Sequence, residues 1–187
     1  MVVAAPRELV REYLRVAEDL RLKVAALTVD ALMLDALSEM AGREPPGMGV
    51  TLEIGPRATT INVSEGERLR LTRSVGIGAN QLTLAIQQDL GVDPDEAERM
   101  KHSDGLRLLA REPQPSAVRA WLQGLTGEIR RSALSFGPAA LSRLLLVGET
   151  AAMPGLADTL QSEFGAEPTT LSASDLFPGS ELPGADP

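Results

Sequence analysis

Three strand-like segments follow one another closely in the middle of the chain, and this arrangement limits the possible folds more than any other feature. Residues 50–54, 59–63 and 68–75 are rich in β-branched and aliphatic side chains, and the sequence SEGE at residues 64–67 is typical of a hairpin turn. Connections this short permit only antiparallel pairing, because a parallel return needs a much longer crossover. We therefore expect an antiparallel meander of three strands.

The second half of the chain alternates helical and strand patterns. Helices are predicted at residues 80–90, 116–136 and 153–164, with short helices over residues 92–112. The apolar run at residues 144–147 predicts a buried strand, and residues 168–171 predict a final one. The order β-β-β-α-(helical insert)-β-α-β predicts an α/β fold in which helices cover a mixed sheet.

The first part of the chain has a separate strand and helix pattern. Apolar runs at residues 2–5 and 22–29 predict two strands, and helical spacing predicts helices over residues 7–20 and 31–40. A segment rich in Pro and Gly at residues 42–49 predicts a linker. We therefore divide the chain into residues 1–44 (β-α-β-α), residues 45–171 with a helical insert at 92–135, and a mobile tail at residues 172–187.

Composition excludes several classes of protein. The chain has no Cys and one His, so thiolate chemistry and polyhistidine metal sites are excluded. The net charge is −8 and aromatic residues make up 3%, which argues against a nucleic-acid partner. The chain has neither a signal-peptide pattern nor an apolar run long enough to insert directly into a membrane. A cytoplasmic location is the expectation.

Several stretches in this order resemble the second lobe of the actin-like ATPase superfamily, which has the RNase H-like fold, and are most similar to the PilM family of type IV pilus assembly proteins. The stretches are VVAAPRELV (2–10), LKVAALTVD (22–30), LEIGPRATTINV (52–63), GIGANQLT (76–83), EIRRS (128–132) and LLLVGETAAMPGL (144–156). The resemblance implies an actin-like second lobe with a mixed sheet, plus a remnant of the first lobe. It also implies that most of the first lobe, with its phosphate loop, is missing by N-terminal truncation.

The resemblance further implies ATP and Mg²⁺ as ligands and a set of nucleotide-binding positions. These are Glu53, Gly55, Thr59, Thr60, Gly78, Glu128, Arg131, Gly148 and Glu149. Glycines in such a fold let backbone amides approach phosphate. The competing interpretation of these positions is structural: turn glycines, strand threonines, a strand-end glutamate, and an exposed face of the long helix.

The chain departs from the superfamily pattern in ways that weigh against ATP. Glu53 stands where Asp is usual, Pro56 and Arg57 replace small residues, and Glu149 and Thr150 replace glycines. A carboxylate at position 149 would repel a polyphosphate unless it turned away. We therefore expect ATP binding to be weak or lost, and no catalytic or metal-ligating residue is assigned.

Three other charged features have simple structural interpretations. His102 lies in a charged stretch without a metal-binding pattern and is expected to be solvated. The acidic residues Asp93, Asp95, Glu96 and Glu98 suit the start of a helix better than a calcium loop. The arginines near residues 57–73 suit a solvated sheet edge, with an acidic partner as the alternative.

Two classes of function follow from the resemblance. The first is a cytoplasmic scaffold of pilus assembly, peripheral at the inner face of the inner membrane. It would bind the cytoplasmic tail of a PilN-like membrane protein near residues 2–13 and 27–37, and contact other pilus platform proteins. The second is an actin-like ATPase fragment that needs its missing N-terminal half to bind Mg·ATP. A division-filament tether or a type II secretion relative is a weaker alternative.

Overall fold

The computed structural model describes residues 4–40, 42, 47–136, 140–171 and 175. The helices are α1 Arg7–Asp19, α2 Asp30–Met40, α3 Ala79–Leu90, α4 Pro94–Ser103, α5 Ser116–Leu134 and α6 Leu156–Phe164, with 3₁₀ turns at Gly105–Ala110 and Glu149–Ala152. The strands are β1 Met48–Ile54, β2 Thr59–Glu65, β3 Arg68–Val75, β4 Leu141–Val147 and β5 Pro168–Leu171. The predicted element order from β1 onward is therefore confirmed.

The five strands form one mixed sheet in the order β3-β2-β1-β4-β5. β1, β2 and β3 make the predicted antiparallel meander, and β4 and β5 add on the other side of β1 in parallel. β1 is therefore hydrogen-bonded to an antiparallel strand on one side and to a parallel strand on the other. Short turns explain the first arrangement, and the helical crossover between β3 and β4 explains the second.

The main core lies on one face of this sheet, between the strands and helices α3, α5 and α6. Alternate residues of β1, β2 and β4 supply it, as the period of two predicts. They include Val50, Leu52, Ile61, Val63, Leu144 and Leu146, each at most 1% exposed. On the opposite face, Leu34 of α2 packs against Leu145 and Val147. The apolar run in β4 is thus explained by burial on both faces.

The strand predicted at residues 22–29 is wrong, and the described part of the strand predicted at residues 2–5 is not extended into a sheet. Residues 22–29 and the described residues 4–5 are irregular, and residues 22–28 are exposed. A strand is stable only where a neighbouring strand pairs with its backbone groups, and none of the described residues provides such an edge here. Residues 1–3 lie outside the described residues. The predicted helices are confirmed as α1 and α2.

The chain divides into two compact units, Met1–Asp30 and Ala31–Pro187. α2 thus groups with the sheet, whereas the segment rich in Pro and Gly predicts a boundary after residue 44. The assignment of either part to a lobe of the superfamily stays a prediction. The predicted mobile tail, residues 172–187, lies outside the described residues except for Asp175.

Candidate functional site

The candidate site lies at the carboxyl ends of β1 and β4. These strands are parallel neighbours, and Glu53 near the end of β1 pairs with Val147 at the end of β4. The chain therefore leaves both strands at the same edge of the sheet, through Gly55 on one side and Gly148 on the other. This edge of an open α/β sheet is where ligands commonly bind.

A cleft of about 910 Å³ opens at this edge. Four parts of the chain form its walls: the β1–β2 hairpin, the start of α3, one face of α4 and the turn after β4. The lining residues are Glu53, Ile54, Gly55, Pro56, Ala79, Asn80, Glu98, Lys101, His102, Gly148, Glu149, Thr150, Ala152 and Met153. The volume is that of an ordinary small-molecule site. Of the predicted site residues, Glu53, Gly55, Gly148 and Glu149 are brought together here.

The tip of the β1–β2 hairpin is fixed against the first turn of α3. The backbone amides of Ala79 and Asn80 donate to the carbonyls of Gly55 and Pro56, each at 2.9 Å. The amide of Gly55 donates to the carbonyl of Ala58 at 2.9 Å. Pro56 has no N–H to donate. The amides of Gly55, Ala79 and Asn80 are therefore already hydrogen-bonded within the fold, and Pro56 has no amide hydrogen to offer a ligand.

Gly78 lets this contact form. A Cβ at position 78 would lie 2.5 Å from the carbonyl carbon of Arg57 and 2.6 Å from the oxygen of Pro56. The Gly78 carbonyl also accepts a 3.0 Å hydrogen bond from the indole N–H of Trp121. Gly78 is therefore a packing position beneath the hairpin and is not among the described residues that line the cleft.

The turn after β4 needs glycine for a different reason. Gly148 has φ +89°, a conformation that L side chains rarely adopt. A Cβ there would lie 3.6 Å from the Cγ atom of Glu53, so the two predicted positions are neighbours across the strands. Glu149 follows at the start of a 3₁₀ turn and is exposed. Glu149 and Glu53 both line the cleft.

The α4 wall of the cleft carries a charged network that the sequence analysis missed. Lys101 is 6% exposed, and its ammonium lies 2.5 Å from Glu98 Oε1 and 3.2 Å from the hydroxyl of Thr83. Thr83 donates in turn to Glu98 Oε2 at 2.7 Å. His102 Nε2 lies 3.2 Å from Glu98 Oε1. The spacing of Glu98 and Lys101 by one helical turn was the available signal, but the burial of Lys101 and its contact with Thr83 of α3 were not predictable from it.

Glu98 is held in its charged form. Burial alone would raise its pKa, but hydrogen bonds from Lys101 and Thr83, the charge of Lys101 and the contact with His102 together lower the pKa below its usual value. Glu98 therefore neutralises Lys101 at neutral pH. The charge that remains on the cleft walls comes from Glu53 and Glu149 and is negative.

The cleft has the size of a nucleotide site, but its donors and charge do not suit a polyphosphate. The amides of Gly55, Ala79 and Asn80 are used within the fold and Pro56 has none. Glu53 and Glu149 line the space, and the one lysine among the lining residues, Lys101, is paired with Glu98. Within the described ranges, no group of three His, Asp or Glu side chains is arranged to hold a metal ion. The residues present therefore do not fit tightly bound Mg·ATP.

Five predicted site residues lie away from the cleft. Thr59 is fully buried and donates a 2.6 Å hydrogen bond to the Ile77 carbonyl, which ties β2 to the segment before α3. Thr60, in β2, pairs with Glu53 and is half-buried. Glu128 and Arg131 lie on α5, and Gly78 packs beneath the hairpin. None of these five is among the residues lining the cleft.

Glu128 forms an ion-pair cluster with arginines of two elements. Its carboxylate lies 2.5 Å from Arg131, one turn further along α5, and 3.0 Å from Arg73 of β3. The hydrogen bond from Arg131, with the charges of Arg131 and Arg73, lowers the pKa of Glu128 against a smaller opposing effect of burial. The cluster joins α5 to the sheet edge, and the Glu128 side chain is only 18% exposed, so it does not lie on the exposed helix face of the structural interpretation.

Comparisons with known proteins were consistent with this architecture. The sequence profile of the family described as "Type IV pilus assembly protein PilM" matches residues 1–179. A PilM-PilN type IV pilus biogenesis complex is similar over 91% of this chain and 49% of that chain, with a TM-score of 0.71 and 25% identity. EutJ, an ethanolamine utilization protein from Carboxydothermus hydrogenoformans, has a TM-score of 0.67 and 19% identity. The likeness covers 89% of this chain and 57% of that chain.

A third solved structure is similar in fold alone. MreB 5 of Spiroplasma citri bound to AMPPNP has a TM-score of 0.63 and 14% identity, over 89% of this chain and 61% of that chain. No curated protein matches this sequence. The chain thus spans 49–61% of the length of these solved structures.

The mixed sheet, its strand order and the cleft at the ends of β1 and β4 place the protein in the actin-like ATPase class of folds. The sequence match over residues 1–179 is more specific. The chain belongs to the PilM family of type IV pilus assembly proteins. Within the part of the chain that the structure describes, no helix combines the length and apolar character that a membrane crossing requires.

Proposed function

We propose that this chain is a scaffold of type IV pilus assembly that works on the cytoplasmic side of the inner membrane. It binds the cytoplasmic tail of a PilN-like membrane protein and contacts other proteins of the pilus platform. The observation that carries the proposal is the family match over residues 1–179. The likeness to the PilM partner of a PilM-PilN complex supports the choice of PilN as partner.

The proposed tail site involves residues 2–13 and 27–37. Apolar side chains in these stretches are open to solvent: Tyr13 is 62% exposed, Leu27 53% and Met33 48%. Such side chains can anchor a short peptide, and an extended tail can add main-chain hydrogen bonds. A short tail bound through a few anchors is expected to bind weakly, because ordering the peptide opposes binding.

The test is binding of a fluorescent peptide from the N-terminus of the PilN-like protein to the full chain, followed by anisotropy. Leu27→Asp and Met33→Asp are expected to weaken binding about tenfold, which corresponds to roughly 1.4 kcal/mol. Leu84→Asp is the matched control, because Leu84 is 60% exposed on α3, outside the proposed site. No binding of the peptide, or equal loss in the control, would refute the proposed tail site.

The second candidate function is an actin-like ATPase fragment that requires an N-terminal half to close on Mg·ATP. The cleft of about 910 Å³ at the ends of β1 and β4 favours it. Two features oppose it: the amides of Gly55, Ala79 and Asn80 are already hydrogen-bonded within the fold, and Glu53 and Glu149 bring negative charge to the cleft. Retention of radiolabelled ATP at micromolar concentration would favour the ATPase. If no ATP is retained at millimolar concentration, the ATPase function is excluded and the scaffold function is favoured.

A further inference from the structure

Helix α4 lines the cleft and leads into the 3₁₀ turn Gly105–Ala110, and residues 94–110 are here called the wall segment. The wall segment also supplies the main core, because Ala97 is 0% exposed, Leu106 3% and Leu108 1%. A segment with such residues does not swing outward without exposing apolar surface to water. The attachments of the wall segment therefore decide whether the cleft can change its width.

One end of the wall segment contacts the turn that precedes α6. The amide of Leu106 donates to the carbonyl of Pro154 at 2.9 Å. A Cβ at position 105 would overlap this carbonyl oxygen and would lie 2.7 Å from the Cγ atom of Met153. A Cβ at position 155 would lie 3.0 Å from the amide nitrogen of Arg107. The backbones of the two segments therefore touch directly.

Both glycines of this contact adopt backbone conformations that disfavour other residues. Gly105 has φ +54° and Gly155 has φ +77°, in the left-handed region. A side chain at either position would be strained by its own backbone and would also meet the opposite segment. We call this contact between Gly105 and Gly155 and their neighbours the latch.

The second attachment of the wall segment is the polar contact between α4 and α3. The Lys101 ammonium donates to the hydroxyl of Thr83, and this hydroxyl donates to Glu98. Glu98 and Lys101 both belong to α4, so a displacement of the wall segment would leave their ion pair intact but would break both bonds to Thr83. The wall segment is thus held on two sides, by α3 and by the turn before α6, and both of these also line the cleft.

We propose that the wall segment has no movement of its own and separates from the sheet only when the sheet itself unfolds. The cleft then keeps a constant width. Proteins commonly open in parts, and segments with few buried contacts open first. The buried side chains, the latch and the bonds to Thr83 remove that possibility here. This inference goes beyond the proposed function, which concerns a partner and not the movement of the cleft.

Hydrogen exchange of the full chain, followed by NMR as urea is added, measures such openings amide by amide. The protection factor of the Leu106 amide should lie within about tenfold of those of the β1 amides and should fall as steeply with urea, because both exchange through the same unfolding. The Arg111 amide is the control, since it bonds to the carbonyl of Leu108 within its own turn. Its protection should be at least about 100-fold lower.

The same measurement can overturn the proposal. A Leu106 amide that is more than about tenfold less protected than the β1 amides, with a weaker dependence on urea, would show that the wall segment opens by itself.

Matched glycine variants test the latch. Gly105→Ala and Gly66→Ala add a methyl group at nearly the same φ, +54° and +57°, but a Cβ at position 66 would meet nothing within 4 Å. Gly155→Ala and Gly165→Ala form a second such pair, at +77° and +74°, and position 165 is equally open. Both latch variants should lower the protection of the Leu106 amide at least about tenfold relative to β1, whereas the controls should change both alike.

Equal effects of the latch variants and their controls on the Leu106 amide would overturn the latch as an attachment. The PilN-like peptide is absent from all of these measurements, so their failure is separate from failure of the proposed function.

Discussion

The ammonium of Lys101 lies 2.5 Å from a carboxylate oxygen of Glu98, and the lysine side chain is only 7% exposed. Both residues come from α4, and Thr83 of α3 completes the contact. A charge that is buried this far is stable only with its partner, because burial without one leaves it without hydration. The pair therefore joins the wall of the cleft to the neighbouring helix.

Replacing this lysine should cost stability. Lys101→Met removes both hydrogen bonds and is expected to lower the free energy of unfolding by about 1–2 kcal/mol, measured by urea denaturation. Arg99→Met is the matched control, since Arg99 pairs with Glu96 at the same spacing but is 72% exposed. Arg99→Met should lower the free energy of unfolding by less than about 0.5 kcal/mol. Equal losses would show that burial of Lys101 contributes nothing.

The start of α5 depends on a carboxylate from another helix. Asp89 of α3 accepts from the hydroxyl of Ser116 at 3.1 Å and from the amides of Ala117 and Val118 at 3.0 and 2.9 Å. Asp89→Asn should lower the free energy of unfolding by about 1 kcal/mol, as expected for a weakened helix cap. Asp95→Asn, at an exposed position of α4, serves as the control. A smaller effect at Asp89 than at Asp95 would contradict the cap.

The same carboxylate gives a stability change with pH. Burial alone would raise the pKa of Asp89, but the hydrogen bonds from the start of α5 lower it below 3.8. Because the folded pKa is the lower one, the contribution is full above pH 3.8 and is lost as pH falls through the folded value. The difference in unfolding free energy between wild type and Asp89→Asn should therefore shrink below that pH. A constant difference in urea titrations down to pH 2 would refute the linkage.

Gly78 should tolerate no side chain. In Gly78→Ala the new methyl group meets the backbone of Arg57 and Pro56 at 2.5 and 2.6 Å, so the hairpin must move. The expected loss is about 2–3 kcal/mol of unfolding free energy. Gly76→Ala is the control two residues earlier, where a Cβ would meet nothing within 4 Å. Similar melting temperatures for the two variants would show that the hairpin yields readily.

Removing a carboxylate from the cleft should help a nucleotide. Glu149→Gln keeps the side chain's size but removes its charge, and we expect Mg·ATP affinity to rise about fivefold, which is the effect of one like charge near 4 Å in water. Equilibrium dialysis with millimolar ATP measures it. Glu163→Gln, on the exposed face of α6, is the control. Unchanged binding in Glu149→Gln would show that its charge is not what weakens the site.

The fold was largely predictable because most strands of the second unit pair with a neighbour close in sequence and have a clear apolar pattern. β1 to β3 are joined by tight turns, and the apolar residues of β4 mark a strand that is covered on both faces. Residues 22–29 are equally apolar, but an apolar segment forms a strand only if another strand lies beside it to pair with. Local pattern thus fails where the outcome depends on a distant edge.

The site was predictable only in part, for a similar reason. Glu53, Gly55, Gly148 and Glu149 were found through the family resemblance, and the structure places all four along the cleft at the carboxyl ends of β1 and β4. Thr59 carries a hydroxyl toward the Ile77 carbonyl, an orientation that the strand pattern does not reveal. Lys101 was missed because its importance comes from Thr83, which is 18 residues earlier in the chain.

The central place of β1 has a mechanical consequence. Seven residues of this strand pair with β2 and six pair with β4, so the strand is held along its length from both sides. A load applied along β1 would act on both ladders in shear, and many hydrogen bonds would have to break together before the strand slid. The edge strand β5, with four residues bonded to β4 alone, would separate first. Under traction the hairpin and the turn after β4 would therefore keep their spacing after the outer edge of the sheet had come loose.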